Sequence, residues 1–568
     1  MEGRAGRGPV GRSLEVRRVS PAGPLAHPRP WPGILAALLA LAVSVGWALW
    51  YQARAAGVAA LYVRAVGPLN LPFKAETLLL QRAALRQADV LPIYGTSELY
   101  CCAAPFNAGT FFAQAPTGFS VFNVGYPVTQ DLIFAETFGA LGRSLQGKRV
   151  VVSDSAWFDS PTGISAGSYA PTYSPEIATT FAFAAPLPMA LRQAVARRML
   201  DFPGTLQNDV LLRAALEALA RGGRLGDAQY ALLRPMGWLA VWLDQERDAY
   251  QTMRHLQALE HPAPSAAPSG PAPAAPALPG PRAALADLRE VIRGEGLDAW
   301  LGLSPPNAVA LMRGIAPGGL DPVVPDRPGA IPWTADLRTA DAMAAAQSNN
   351  NPFGVLNAHW TKCTDVEPAN MCQQALALYR SGRSNHDGGV YAYPGQWVAG
   401  VVTCTCWTDL SLEFQVLDAL QARPLAWVQP LEGRYSDYTP YSAAARQLLY
   451  TQYLSVAAAA GVPATTFQTH DTDALFVDSF GHLSQRGWLY ADRLLDLFWH
   501  GQVAQGRPGL AQGGSVNLLF SPALDCPNAY ACQGVDGSRP GLAPTPPPTA
   551  PPRPAPRPAS RPPAARAV

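Results

Sequence analysis

The sequence predicts an α/β protein in which helices flank a parallel sheet, with a helical insertion and a single N-terminal transmembrane helix. Three observations predict it. Short β-type segments alternate with helical segments, which is the pattern of a parallel sheet with crossover helices. Hydrophobic residues make up 48% of the 568 residues and charged residues 15%, so the chain can bury a large core and is not disordered throughout. One long apolar run is present, which excludes a protein with many membrane spans.

The apolar run covers residues 31–51 and contains no charged residue. About 20 helical residues cross a hydrocarbon core of ~30 Å. Trp31, Trp47 and Trp50 lie near its ends, where aromatic rings prefer the membrane interface. Residues 1–30 carry six Arg and two Glu, so the positive-inside rule predicts a single-pass protein of the cytoplasmic (inner) membrane whose main domain is extracytoplasmic. A cleaved signal peptide is the alternative.

The net charge of +2 is unevenly distributed along the chain. The N-terminal tail and the C-terminal tail each carry a net charge of +4, which leaves an acidic body between them. An acidic body argues against a nucleic-acid-binding domain. Composition predicts a basic cytoplasmic tail, a transmembrane anchor, the first part of the extracytoplasmic domain with its helical insertion, a Pro/Ala-rich linker, the second part of the domain and a disordered Pro/Arg tail. In that order they cover residues 1–30, 31–51, 52–260, 261–282, 283–534 and 535–568.

The predicted elements follow each other as strand and helix along the exported region. Apolar runs bounded by turn residues predict the strands, and apolar positions with a 3.6-residue period predict the helices. The predicted strands cover residues 89–94, 118–123, 148–153, 424–429 and 464–468. The predicted helices cover residues 52–90, 131–145, 187–200, 209–220, 227–243, 283–293 and 489–498.

Eight cysteines fit an exported domain, because an even number outside the cytoplasm is typical of disulfide bonds. Spacing leaves the connectivity open. Two pairs would close short loops, and either member of an early pair could bond to either member of a later one. The short loops join Cys363 to Cys372 and Cys526 to Cys532, and the longer pairing joins Cys101 or Cys102 to Cys404 or Cys406. No Cys-x-x-Cys spacing or neighbouring His favours zinc, and no metal or cofactor is expected.

Ser97 directly follows a hydrophobic strand, in Tyr94-Gly-Thr-Ser-Glu-Leu. A serine there lies at the carboxyl edge of a parallel sheet, where α/β active sites form, but its hydroxyl needs a base to become a nucleophile. His482 precedes a predicted helix, and Asp478 lies four residues before it. Both segments are also common in ordinary polar turns. Together they predict a candidate triad of Ser97, His482 and Asp478.

In this order the segments resemble the SGNH-hydrolase arrangement, in which an early nucleophilic Ser is followed by a Gly and, near the end, by Asp and His. Gly125, in Asn123-Val-Gly, matches the glycine position after the second strand. The resemblance implies an SGNH-hydrolase-like sheet. It also implies an oxyanion hole built from the backbone N–H groups of Ser97 and Gly125, with Asn123 as a further donor.

The chain is also similar to the DltD family, the membrane-anchored proteins of teichoic-acid D-alanylation. The order of several segments carries the resemblance, since no single motif is specific. These segments are Gly95–Leu99, Asn123–Leu132, Val151–Phe158 with Gly163–Ser165, Ser348–Gly354 and His482–Trp488. Through them Trp157, Asn350 and Asn351 are expected to line a substrate groove.

Two positions depart from the family pattern. The family places Asp three residues before His, whereas Asp478 lies four before His482, so Asp471 and Asp473 are substitutes for the orienting role. Ala156 stands where the family has Gln, so the resemblance implies that Asn123 takes any side-chain role in the oxyanion hole.

The resemblance implies a serine-dependent, membrane-anchored extracytoplasmic acyltransferase. It would move D-alanyl, or a similar acyl group, onto hydroxyls of a cell-envelope glycopolymer through an acyl-enzyme. A membrane-bound O-acyltransferase of the DltB type is the expected partner, and nucleic acid is not. Two alternatives stay open, namely a periplasmic esterase or thioesterase with the same triad and a non-catalytic scaffold for the transferase. Only the acyltransferase needs an acceptor polymer, and only the scaffold would work without Ser97.

Overall fold

The computed structural model of the chain describes residues 31–99, 105–114, 117–154, 164–260, 333–348, 377–382, 404–438, 443–473, 475–477, 482–501 and 503. The chain divides into two compact units, of which the first ends at Ala53 and the second begins at Arg54. The two predicted tails, the Pro/Ala-rich linker and the predicted helix over 283–293 lie outside the described residues. The domain boundaries proposed from composition stay predictions.

The second unit is built on a five-stranded parallel sheet, which confirms the predicted α/β class. The strands are β1 Val90–Gly95, β2 Ser120–Gly125, β3 Arg149–Asp154, β4 Arg423–Val428 and β5 Ala464–Thr465. Their order in the sheet is β2-β1-β3-β4-β5. The order reverses between β1 and β3, and the carboxyl ends of strands at such a switch point are where open α/β sheets place their sites. Ser97, which follows β1, and Asp154, the last residue of β3, both lie at this switch point.

Helices flank the sheet and account for most of the remaining described residues. They are α1 Trp31–Val66, α2 Phe73–Glu76, α3 Leu78–Arg86, α4 Ala108–Gln114, α5 Asp131–Leu141, α6 Ala166–Thr172, α7 Pro175–Ala184, α8 Met189–Met199, α9 Pro203–Leu206, α10 Val210–Arg221, α11 Gly223–Glu260, α12 Trp333–Ser348, α13 Cys406–Ala419, α14 Gly433–Ser436, α15 Ala443–Ala459 and α16 Gln485–Trp499. The helices from α6 to α11 lie between β3 and β4 in sequence, where the helical insertion was predicted.

Alternate side chains of each strand enter two separate hydrophobic cores. Tyr94 and Val152 pack in the larger core, which includes residues of α5, α13 and α15. Ile93 and Val151 pack in the smaller core with α4 and α16. Because the strands are buried on both faces, their sequences are continuous apolar runs, as expected for a parallel sheet. Full burial of each large apolar side chain contributes about 1.5–3 kcal/mol.

The segment predicted as one helix over 52–90 forms three helices. α1 ends at Val66 because Gly67-Pro68 follows it, and Pro72 precedes α2. Proline lacks the N–H that a helix interior needs, so the chain turns at these positions. Within α1, Gly33–Val66 is long and apolar enough to cross a membrane, by length and composition.

A disulfide joins Cys404 to Cys406 at the start of α13. The pairing of either residue with Cys101 or Cys102, which the sequence allowed, is therefore not found. The Cα atoms of Cys404 and Cys406 lie 5.2 Å apart, within the range that a disulfide spans. The other six cysteines lie outside the described residues.

Candidate active site

Ser97 begins a 3₁₀ turn, Ser97–Leu99, directly after β1. Its Oγ lies 2.8 Å from Nε2 of His482, which is an ordinary hydrogen-bond distance between residues 385 positions apart. The structure therefore brings together the two side chains that the sequence predicted as nucleophile and base. When Nε2 carries no proton, this contact lets the imidazole accept the proton of the serine hydroxyl.

The carboxylate of Glu98 holds the turn that presents Ser97. Glu98 is only 1% exposed, and its Oε1 accepts a hydrogen bond from the backbone N–H of Thr96 at 2.7 Å. Its Oε2 accepts a second hydrogen bond, from the Thr96 hydroxyl. A Cβ at Gly95 would lie 2.3 Å from Oε1, so only glycine leaves room for this folded-back carboxylate. Burial raises the pKa of Glu98, while the hydrogen bonds from Thr96 oppose that rise.

Contacts of the two residues after His482 fix the turn that carries it. Leu483 forms an antiparallel bridge with Val477. Ser484 is the N-cap of α16, and its Oγ accepts a hydrogen bond from the N–H of Gly487 at 3.2 Å. A capping serine satisfies one of the free N–H groups at a helix start. The His-Leu-Ser-Gln-Arg-Gly segment is therefore a helix start that places the imidazole against Ser97.

Gly125 ends β2 beside the Ser97 turn, in register with Gly95 on β1. A Cβ at Gly125 would lie 3.0 Å from the carbonyl oxygen of Thr96, closer than most real contacts of this kind. Asn123 lies two residues earlier on β2 and is 4% exposed. Its Oδ1 accepts no hydrogen bond from the described residues. The structure thus places Gly125 against the turn, and both oxyanion roles stay predictions.

Asp478, the carboxylate predicted to orient His482, lies outside the described residues. The predicted groove residues Trp157, Asn350 and Asn351 also lie outside them. Each of the two substitutes is bonded to another side chain. Asp471 accepts a hydrogen bond from Arg446 Nε at 3.2 Å. Asp473 lies 3.2 Å from Arg486 Nε and 3.5 Å from His470 Nδ1. The assignment of Asp478 stays a prediction.

A small cleft with a volume of about 30 Å³ lies beside Gly95 and Gly125. Aromatic rings and threonine hydroxyls line much of it, including Tyr94, Tyr126, Phe134, Tyr173, Thr129 and Thr137. A volume of this size holds about one or two water molecules, and neither Ser97 nor His482 lines it. Sequence reasoning missed this cleft, because its lining comes from α2, β1, β2, α5 and the end of α6, which only the fold brings together.

Sequence comparison relates the chain to the DltD proteins. Residues 72–271 and 402–500 match the family model described as DltD protein. The chain is 22% identical over 428 residues to Protein DltD of Bacillus subtilis (strain 168), covering 75% of this chain and 87% of that relative. It is 30% identical over 146 residues to Protein DltD of Lacticaseibacillus rhamnosus, covering 26% of this chain and 34% of that relative.

The ranges that match the family model make up more than half of the chain. They include Ser97, Gly125 and His482, and they leave out both tails and most of the segment between residues 260 and 402. The chain belongs to the DltD family.

Proposed function

We propose that this protein is a membrane-anchored extracytoplasmic acyltransferase that moves D-alanyl, or a similar acyl group, onto hydroxyls of an envelope glycopolymer. The observation that carries the proposal is the 2.8 Å contact between Ser97 Oγ and His482 Nε2. A serine hydroxyl becomes an effective nucleophile when an imidazole accepts its proton. The family membership supports D-alanyl as the acyl group.

The reaction proceeds in two steps through an ester on Ser97. In the first step Ser97 Oγ attacks the carbonyl carbon of an activated acyl donor, while its proton passes to His482 Nε2. The bond to the donor's leaving group then breaks, and the imidazolium returns the proton to that group. In the second step the acceptor hydroxyl gives its proton to His482 and attacks the acyl carbon. The bond from that carbon to Ser97 Oγ then breaks, and the imidazolium returns the proton to Oγ. Asp478 is proposed to hold the other ring nitrogen of His482.

Negative charge develops on the acyl oxygen in both steps, and the backbone N–H groups of Ser97 and Gly125 are proposed to stabilise it. One such donor contributes about 3–4 kcal/mol in a serine hydrolase. Asn123 is proposed as a third donor because its side chain lies on β2, two residues before Gly125. Trp157, Asn350 and Asn351 are proposed to lie along the path of the polymer.

The apolar segment of α1 is proposed to anchor the domain on the outer face of the cytoplasmic membrane, with the N-terminus in the cytoplasm. Its length and composition support an anchor. A membrane-bound O-acyltransferase of the DltB type is the proposed partner, since transfer to an external polymer needs an acyl group delivered across the membrane.

The test of the nucleophile is labelling of the purified chain with a fluorophosphonate, followed by intact-protein and peptide mass spectrometry. We expect one adduct, on Ser97. The His482→Ala variant should label roughly 10²–10⁴-fold more slowly, because general base catalysis is worth about that factor. The matched control is His255→Gln, an exposed histidine on α11 that should label like the parent chain. A folded parent chain that stays unlabelled would contradict the proposed nucleophile.

Transfer is distinguished from the two alternatives in a deletion strain that carries plasmid copies of the chain. We expect the parent chain to restore ester-linked D-alanine on the envelope polymer and Ser97→Ala to fail at equal expression. Restoration by Ser97→Ala would establish a scaffold instead. Hydrolysis of acyl esters by the purified chain, without transfer to added polymer, would establish an esterase.

A further inference from the structure

Three carboxyl groups meet below the carboxyl end of β3, on the side of the sheet that packs against α5 and α13. Asp131 lies in the first turn of α5, Asp154 is the last residue of β3 and Glu413 lies within α13. One carboxylate oxygen from each lies within 4.8 Å of the others. Three separate elements therefore point oxygen ligands at one place, which we call the acidic cluster.

Two members of the cluster are buried with oxygens that lack partners. Glu413 is 0% exposed, and neither of its carboxylate oxygens accepts a hydrogen bond from the described residues. Asp154 is 4% exposed, and its Oδ2 accepts a hydrogen bond from the Tyr453 hydroxyl at 2.6 Å. Its Oδ1 has no partner in the described part of the chain. Buried polar atoms are almost always bonded, so these oxygens point to a ligand.

Charge gives the same indication. Among the described residues, no Lys or Arg forms an ion pair with Asp154 or Glu413. Carboxylates taken out of water need either a proton or a positive partner.

We propose that Asp131, Asp154 and Glu413 bind one hard divalent cation of the Ca²⁺ class. Oxygen donors alone suit such an ion, and oxygens on opposite sides of Ca²⁺ lie roughly 4.6–5.2 Å apart, since each Ca–O bond is about 2.3–2.6 Å. Oxygens within 4.8 Å of one another fit inside that limit. Tyr453 orients the Asp154 carboxylate from outside the cluster, as groups around metal ligands commonly do.

Asp154 and Glu413 are buried, whereas Asp131 is half-buried and reaches solvent, so the ion can enter the site beside Asp131. The bound ion would fasten α5 and α13 to the end of β3, the strand that pairs with β1. Tyr94 of β1 pairs with Val152 of β3, so Asp154 lies beside the chain that leads into Ser97. The site is therefore a structural support next to the candidate active site and is independent of the acyl-transfer chemistry.

The test uses the full chain in detergent, stripped with EDTA and exchanged into buffer of controlled metal content. Native mass spectrometry and calorimetric titration with Ca²⁺ should show one equivalent bound, and Ca²⁺ should raise the melting temperature by several degrees. Mg²⁺ should bind more weakly, because it demands shorter bonds of about 2.0–2.1 Å in octahedral geometry. Each protein's melting temperature is compared with and without the ion, so a variant that is less stable without metal does not affect the measured rise.

Glu413→Gln should lower Ca²⁺ affinity at least tenfold and abolish the rise in melting temperature. Asp131→Asn, at a half-buried position, should do the same and serves if the first variant does not fold. The matched control is Glu217→Gln, at an exposed position of α10, which should bind Ca²⁺ like the parent chain. The proposal would be overturned if the chain bound neither Ca²⁺ nor Mg²⁺ stoichiometrically at millimolar concentration. It would also be overturned if the folded Glu413→Gln and Asp131→Asn variants bound Ca²⁺ as tightly as the parent chain. Fluorophosphonate labelling of Ser97 is measured in parallel, so failure here is separable from failure of the nucleophile.

Discussion

At the residue scale, the contact between Ser97 and His482 depends on side chains that touch no substrate. Glu98 bonds back to Thr96 on one side, and Ser484 caps α16 on the other. Each contact removes conformations that would part the two side chains. Glu98 is therefore a positioning residue, because both of its carboxylate oxygens accept hydrogen bonds from Thr96.

Gly125→Ala tests whether the close approach of β2 positions Ser97. The new methyl carbon would lie 3.0 Å from Thr96 O and 3.1 Å from Leu99 Cβ, so the Ser97 turn must shift by a few tenths of an ångström. We expect fluorophosphonate labelling to slow by roughly 10–10²-fold, because small displacements of reacting groups carry penalties of that order. Stopped-time labelling with mass detection measures the rate.

The matched control for this variant is Gly204→Ala, since a methyl group there meets no atom within 4 Å. Gly204 lies in the short helix α9, so alanine should leave both labelling and stability close to those of the parent chain. Equal labelling rates in the two variants would show that the approach of β2 has no effect on Ser97.

The sequence predicts some of these residues well and others not at all. Ser97 and His482 follow from their places directly after a strand and before a helix, and from the order of the family segments. The acidic cluster does not follow, because Asp154 and Glu413 are 259 positions apart in sequence. Only the pairing of β3 with β4 and the packing of α13 bring those two carboxyls together.

At the element scale, Arg198 joins α8 to α13 through a bidentate pair with Asp409. Its Nε and Nη2 lie 2.7 and 2.8 Å from the two carboxylate oxygens, and the side chain of Asp409 is only 3% exposed. Arg198→Met should lower the free energy of unfolding by about 3–5 kcal/mol, because it leaves a buried carboxylate without its partner. Urea unfolding followed by circular dichroism measures this change.

The exposed pair of Arg213 and Glu217 on α10 is the control, with both side chains about half exposed. Arg213→Met should change the free energy of unfolding by no more than about 1 kcal/mol. The double variant Arg198→Met with Asp409→Asn should recover part of the loss. If Arg198→Met cost no more than Arg213→Met, the pair would not hold α8 to α13.

Glu136 gives the packing of α5 a pH dependence. Burial raises the pKa of Glu136 to about 8, the charge of Asp409 adds to the rise, and the hydrogen bond from Tyr169, at 2.7 Å, opposes it. The folded chain therefore holds this proton more tightly than the unfolded chain, in which the pKa is about 4.3. The stability that Glu136 contributes is complete below that unfolded value and is lost as the pH rises towards 8.

Glu136→Gln should remove this dependence, because the amide stays neutral and still accepts a bond from Tyr169. We expect the variant to gain stability over the parent chain between pH 5 and pH 8.5, by about 2–4 kcal/mol. Urea titrations at both pH values measure the difference, and Glu217→Gln is the exposed control. A difference that stays constant with pH would show that Glu136 does not titrate on unfolding.

Strand positions were easier to predict than helix ends. Each strand of the sheet is an apolar run buried on both faces, so the runs locate the strands to within a few residues. Helix ends are harder to predict, because a residue that usually ends a helix is sometimes tolerated inside one. α11 extends from Gly223 to Glu260 and passes through Pro235, beyond the predicted 227–243. The carbonyl that this proline leaves unpaired belongs to Ala231, which is exposed, so water can bond to it.

At the scale of the whole molecule, α1 belongs to both units of the chain. Apolar side chains before Ala53 are exposed, as Leu35 and Leu39 are at 69% and 65%. From Arg54 onwards one face is buried, with Ala55, Ala59, Val63 and Val66 each 0% exposed. The change from an all-round apolar segment to one with a single buried stripe marks the boundary between a segment suited to lipid and one suited to a protein core.

Two truncations should therefore differ sharply. Removal of residues 1–53 should give a detergent-free, folded protein that still labels with fluorophosphonate, because the buried stripe of α1 is kept. Removal of residues 1–66 takes away that stripe and also the carbonyl of Val66, which accepts a hydrogen bond from the fully buried Lys74 at 3.0 Å. Loss of this packing should remove several kcal/mol of a total stability of about 5–15 kcal/mol. Melting curves and size-exclusion chromatography compare the two. If both truncations melted alike, the buried stripe of α1 would not stabilise the second unit. If the shorter truncation still needed detergent, residues 31–53 would not be the segment that makes the full chain depend on it.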